Sequence, residues 1–127
     1  MKPIFILSGE IVHGKEIGRK MDMPTANLDI LKQSLPPFGV YASVIEIGDK
    51  SYMGITNIGF RPTIDNEKTA TAETYILDFS GSIYGERVIL KLYEKLRETF
   101  RFSSKKALRE QIRKDEEKTR TILHHLF

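Results

Sequence analysis

The 127 residues are 40% hydrophobic and 29% charged with a net charge of +3, a balance that suits one folded domain and argues against a disordered chain. Cysteine is absent, which excludes disulfides, thiolate metal sites and a cysteine nucleophile and fits a reducing compartment. At this length roughly two-thirds of the unfolded surface can be buried, enough for a core of its own.

At the N-terminus, Lys2 precedes the run Pro3-Ile4-Phe5-Ile6-Leu7. The run is too short for the apolar region of a signal peptide and lacks a small-residue cleavage site. No stretch reaches the length of a membrane span. The expectation is a soluble, cytoplasmic protein without a membrane partner.

From about residue 9 to residue 97 the pattern is one of short strands broken by turn residues. Residues 40–47 are rich in β-branched and aromatic side chains and end at Gly48-Asp49, a strong hairpin signal. Residues 51–58 form the returning strand. Residues 64–71 read as a polar loop, and 72–79 as a further strand. Ser80-Gly81-Ser82 then turns the chain. Residues 87–93 alternate Val88, Leu90 and Leu92 with Arg87, Ile89 and Lys91, so one face is buried and one less so. Strands at hairpin spacing favour a closed barrel or a sandwich, since closure removes exposed edges.

The last quarter changes period. Ser103 or Ser104 is placed to cap a helix over about 103–125. Leu108, Ile112, Thr119, Ile122 and Leu123 recur at helical spacing with Lys, Arg and Glu between them. Such a helix packs one face and solvates the other. His124 and His125 stand near the C-terminus without metal-ligand spacing and read as surface residues.

Three places could carry chemistry. The segment 13–27 holds Gly14 and Gly18 with Lys15, Arg19 and Lys20. Its backbone amides could approach a phosphate while the cations offset its charge; a plain turn accounts for the same residues. It is not a P-loop, because no Gly-Lys-Ser/Thr opens a helix. In Pro24-Thr25-Ala26-Asn27, Thr25 and Asn27 lie two apart and share a face if the segment is extended. A hydroxyl and an amide oxygen suit Mg²⁺, although both could equally bond nearby backbone groups. Glu73 stands in a strand otherwise poor in charge and is expected at the barrel mouth. A carboxylate there can take the proton of an attacking alcohol; a solvated outward Glu fits the pattern as well.

Taken in order, these pieces resemble the riboflavin kinase family. The likeness runs from Gly14 to Asn27 and through Gly39-Val40-Tyr41, Asn57-Ile58-Gly59 and Arg61-Pro62-Thr63. It continues over Glu73 with Leu77-Asp78-Phe79, Tyr84-Gly85-Glu86, Leu96-Arg97, Phe102-Ser103, and Gln111-Ile112 with Asp115. It covers about residues 9–123 and looks like the kinase module of bifunctional bacterial riboflavin kinase/FAD synthetases. The resemblance implies a mainly β fold: a six-stranded antiparallel Greek-key barrel with a C-terminal α-helix, forming one domain over 1–127. It also implies transfer of the γ-phosphate of ATP to the ribityl 5′-hydroxyl of riboflavin, with Mg²⁺, to give FMN and ADP. Thr25 and Asn27 would ligate the metal and the nucleotide phosphates. Gly14, Lys15, Gly18, Arg19 and Lys20 would cover those phosphates, Glu73 would be the general base, and Arg97 would lie on the flavin side. Asp22 stands where Gly is usual in the family, and Thr99 where Glu is common. A non-catalytic flavin-binding module is the alternative, and an RNA-binding barrel a third reading. The expected partners are the two small molecules, with no nucleic acid, and the expected chain is a monomer that an FAD synthetase domain could extend.

Overall fold

A computed structural model of the chain describes residues 1–12, 25–29, 36–62, 68–79, 81, 85–99 and 102–127. Six strands precede one helix: β1 (Phe5–Val12), β2 (Thr25–Asp29), β3 (Gly39–Ile47), β4 (Lys50–Pro62), β5 (Lys68–Ile76) and β6 (Arg87–Arg97), then α1 (Lys105–Leu123) and a 3₁₀ turn, His124–Leu126. The strands close into a barrel in the order β1-β2-β5-β4-β3-β6, and every pairing is antiparallel. β3, β4 and β5 follow one another as hairpins while β6 returns to lie beside β3, the order that defines a Greek key.

The barrel starts earlier than residue 9. The run 3–7 is amphipathic once extended: Leu7 is buried, whereas Ile4 and Ile6 are exposed. Phe5 packs against the interior cluster. Two further bounds differ from the sequence expectation. β5 begins at Lys68, inside the expected loop, and ends at Ile76. Leu77 and Asp78 form a turn, with Asp78 at φ +59, a conformation that Asp tolerates better than most residues.

Alternation sorts the side chains into two cores. Inside the barrel lie Leu7, Leu28, Tyr41, Ile58, Leu90 and Leu92 with their neighbours. A chain of buried hydroxyls crosses that interior, from Ser43 Oγ to Thr56 Oγ1 (2.7 Å) and on to Thr74 Oγ1 (2.8 Å). Thr56, in the middle, can donate to one neighbour and accept from the other. Gly54 makes room for them: a β-carbon there would stand 2.6 Å from Thr74 Cγ2 and 2.9 Å from Ser43 Oγ.

The second core is outside the barrel. Val40, Ile55, Tyr75 and Leu77 point outward and are covered by Ile112 and Leu108 of α1. Ala42 and Val44 are covered in the same way by Leu123. α1 starts at Ser104, whose Oγ accepts from the Ala107 amide at 3.1 Å, so the expected cap holds. Among the described residues, no helix is long and apolar enough to cross a membrane.

Candidate active site

The site is set by strand register. Residues opposite one another on paired strands share a face, and β5 runs between β2 and β4. Asn27 of β2 therefore faces Glu73, and Glu73 faces Asn57 of β4. The row continues to Val40 of β3 and Arg97 of β6. One step along, Thr25, Tyr75 and Ile55 form a parallel row. All of these are on the outer wall, the face opposite to Ala72, Thr74 and Ile76.

Glu73 is thus on the outer wall, under the N-terminal half of α1, and not at the barrel mouth as the strand pattern led us to expect. The reason is parity: Tyr75 and Leu77, in step with Glu73, pack against the helix. A groove opens there between β3–β6 and α1, lined by Glu73, Asn57, Tyr75, Arg97, Phe102 and Leu108 among others. Its walls are apolar and aromatic with a few polar groups converging at one side, the usual make-up of a small-molecule site.

Charge in the groove is tightly paired. Asp115 of α1 has no exposed surface. Its Oδ2 accepts from Arg97 Nη2 at 2.9 Å, and its Oδ1 from Arg97 Nε at 3.1 Å and Gln111 Nε2 at 3.0 Å. Arg97 Nη1 also donates to the Glu98 carbonyl, and the guanidinium lies 5.7 Å from the centre of the Phe102 ring. Arg97 does fall on the groove, but as a post fixed by a buried carboxylate. Desolvation pushes the Tyr75 phenol up to about 12, aided by the Glu73 charge and opposed by that of Arg97. At neutral pH Tyr75 is an uncharged wall of the groove.

Thr25 and Asn27 share the outward face of β2, as their spacing implied. Thr25 is half-buried and Asn27 is 4% exposed. A hydroxyl and an amide oxygen on one face make a hard, neutral donor pair, so these residues fit a magnesium ion bound mainly by phosphate oxygens and water. Gly14, Lys15, Gly18, Arg19, Lys20 and Asp22 lie outside the described residues. His124 and His125 are exposed at the helix end, as read from their position.

Sequence reasoning did not find the network under α1. Its signal was available: Ile112, Asp115 and Thr119 share the buried stripe of the helix, and a carboxylate on such a stripe calls for a buried partner. The hydrogen bond from Thr99 Oγ1 to Asn57 Oδ1 (2.7 Å) left no such trace.

A family model described as riboflavin kinase, or flavokinase, matches residues 1–123. The chain belongs to the riboflavin kinase family. Among curated relatives, the bifunctional riboflavin kinase/FMN adenylyltransferase of Escherichia coli is 40% identical over 113 residues, 88% of this chain and 36% of that protein. The RNA-binding riboflavin kinase RibR of Bacillus subtilis is 38% identical over 110 residues, 87% of this chain and 47% of its own. The chain therefore spans about a third to a half of these relatives. Among solved structures, riboflavin kinase from Trypanosoma brucei aligns with a TM-score of 0.60 at 26% identity, over 94% of this chain and 76% of that one. A Streptococcus pneumoniae structure named as a macrolide-efflux protein aligns with a TM-score of 0.83 at 36% identity, over 93% and 38%.

Proposed function

We propose that this chain transfers the γ-phosphate of ATP to the ribityl 5′-hydroxyl of riboflavin, giving FMN and ADP. The observation that carries the reading is the row Asn27–Glu73–Asn57. It sets one carboxylate between a hard-oxygen pair on β2 and an aromatic-walled groove under α1.

Each side then has its own task. The groove takes the flat apolar body of the flavin, walled by Tyr75, Phe102 and Leu108. Glu73 accepts the proton of the terminal hydroxyl as that oxygen attacks the γ-phosphorus, and the bond to the ADP oxygen breaks. Thr25 and Asn27 hold the phosphate side, with Gly14, Lys15, Gly18, Arg19 and Lys20 covering it by family likeness. A magnesium ion held by Thr25 and Asn27 would offset charge on the phosphoryl oxygens. Positioning and charge compensation supply most of the rate in such transfers, since the protein has little covalent work to do.

The bifunctional relatives support a further part of the reading, that this module works beside an FMN-adenylylating domain where the chain is longer. We place the activity in the cytoplasm, in a monomer acting on small molecules. The test is a chromatographic assay of the purified chain with riboflavin, ATP and Mg²⁺. FMN that forms only when both ATP and the metal are present is the expected result. Riboflavin binding without FMN would overturn the reading in favour of a flavin-binding module.

A further inference from the structure

The Thr99–Asn57 hydrogen bond joins two parts of the groove that lie 42 residues apart. Asn57 sits on the outward face of β4, directly across from Glu73. Thr99 follows the end of β6 by two residues. Its hydroxyl donates to Asn57 Oδ1, so the acceptor edge of that amide is committed. The other edge, Nδ2, carries two donor hydrogens and makes no hydrogen bond to any described residue. It stands 3.7 Å from where a β-carbon on Gly59 would be, an ordinary contact distance on the same face.

Residues directly opposite across a ladder hold their β-carbons about 5 Å apart. Asn57 is thus the direct neighbour of the proposed base across the ladder. With the terminal hydroxyl assigned to Glu73, a donor on that neighbour is placed for hydroxyls further along the same chain. We propose that Asn57 is a specificity-determining residue, donating from Nδ2 to an inner hydroxyl of the acceptor's polyol chain. Thr99 is the positioning residue that holds the amide in that orientation. The inference rests on the phosphotransfer reading and names the part of the acceptor that the groove recognises.

Two flavins separate the possibilities: riboflavin, and an analogue with the same ring and terminal hydroxyl whose inner chain hydroxyls are replaced by hydrogen. The wild-type chain should prefer riboflavin in kcat/KM. Asn57→Ala should lose that preference by about tenfold, the scale of one hydrogen bond to a neutral hydroxyl. The loss should sit in KM and leave the ratio of kcat values in place. Thr99→Val should lose most of the preference, Thr99→Ser should retain it, and Asn57→Ala/Thr99→Val should be no worse than Asn57→Ala. An unchanged preference in Asn57→Ala, or equal losses in Thr99→Val and Thr99→Ser, would overturn the inference. The same comparison by quenching of flavin fluorescence on binding needs no turnover. A wild-type chain that makes no FMN would therefore sink the phosphotransfer reading while Asn57 is still judged by binding.

Discussion

At the scale of single residues, two side chains opposite each other divide the proposed reaction. Glu73→Gln keeps the shape and removes the base. It should bind riboflavin and nucleotide normally and lose about 10²- to 10⁴-fold in kcat; a rate close to wild type would show that another group takes the proton. Asn27→Ala acts on the other side of the row. Titrations should show weaker magnesium-nucleotide binding and little change for riboflavin, whereas equal weakening of both would mean a damaged barrel. The shared face of Thr25 and Asn27 was legible in the sequence, because two residues on one strand fix each other's direction. That Glu73 faces Asn27 was not. The two are 46 positions apart, and only the pairing of β2 with β5 brings them together.

Elements show the same division between local and distant order. The hairpin at Gly48-Asp49, the buried set Val88, Leu90 and Leu92, and the Ser104 cap all rest on neighbours in sequence and could be read from it. The helix periodicity predicted a packed stripe too, but not what the stripe would meet. It meets a groove wall, and Asp115 enters it as a buried charge. Asp115→Ala would leave Arg97, whose side chain is only 16% exposed, without its counter-charge, and should cost about 3–5 kcal/mol. Chemical denaturation measures this directly. The Asp78–Arg120 pair offers the control: its side chains are 74% and 41% exposed, so water and salt already screen them, and Asp78→Ala should cost far less.

For the whole molecule, stability and site share one seam, since the outer core that fixes α1 on the barrel is also the groove wall. Tyr75 lies in that seam. Its phenol holds its proton to about 12 in the folded chain and to about 10 in an unfolded one. The native state thus binds the proton more tightly, and the resulting stabilisation is present below pH of about 10 and lost as pH rises toward 12. Denaturation midpoints should fall across that window, and Tyr75→Phe should make the fall shallower; identical slopes would show that Tyr75 is not the group responsible.

The two-residue period of β5 gives the groove something like a reading frame. Glu73, Tyr75 and Leu77 look toward the helix, while Ala72, Thr74 and Ile76 look into the barrel. Losing one residue ahead of Glu73 within the strand, with the pairing before the gap kept, would turn the carboxylate into the apolar interior and bring the Thr74 side chain to the groove. Losing two would restore the facing and shift only the row. Within β5 an odd change of length therefore exchanges the two faces unless a bulge absorbs it, as the irregular β3–β6 pairing of this barrel does.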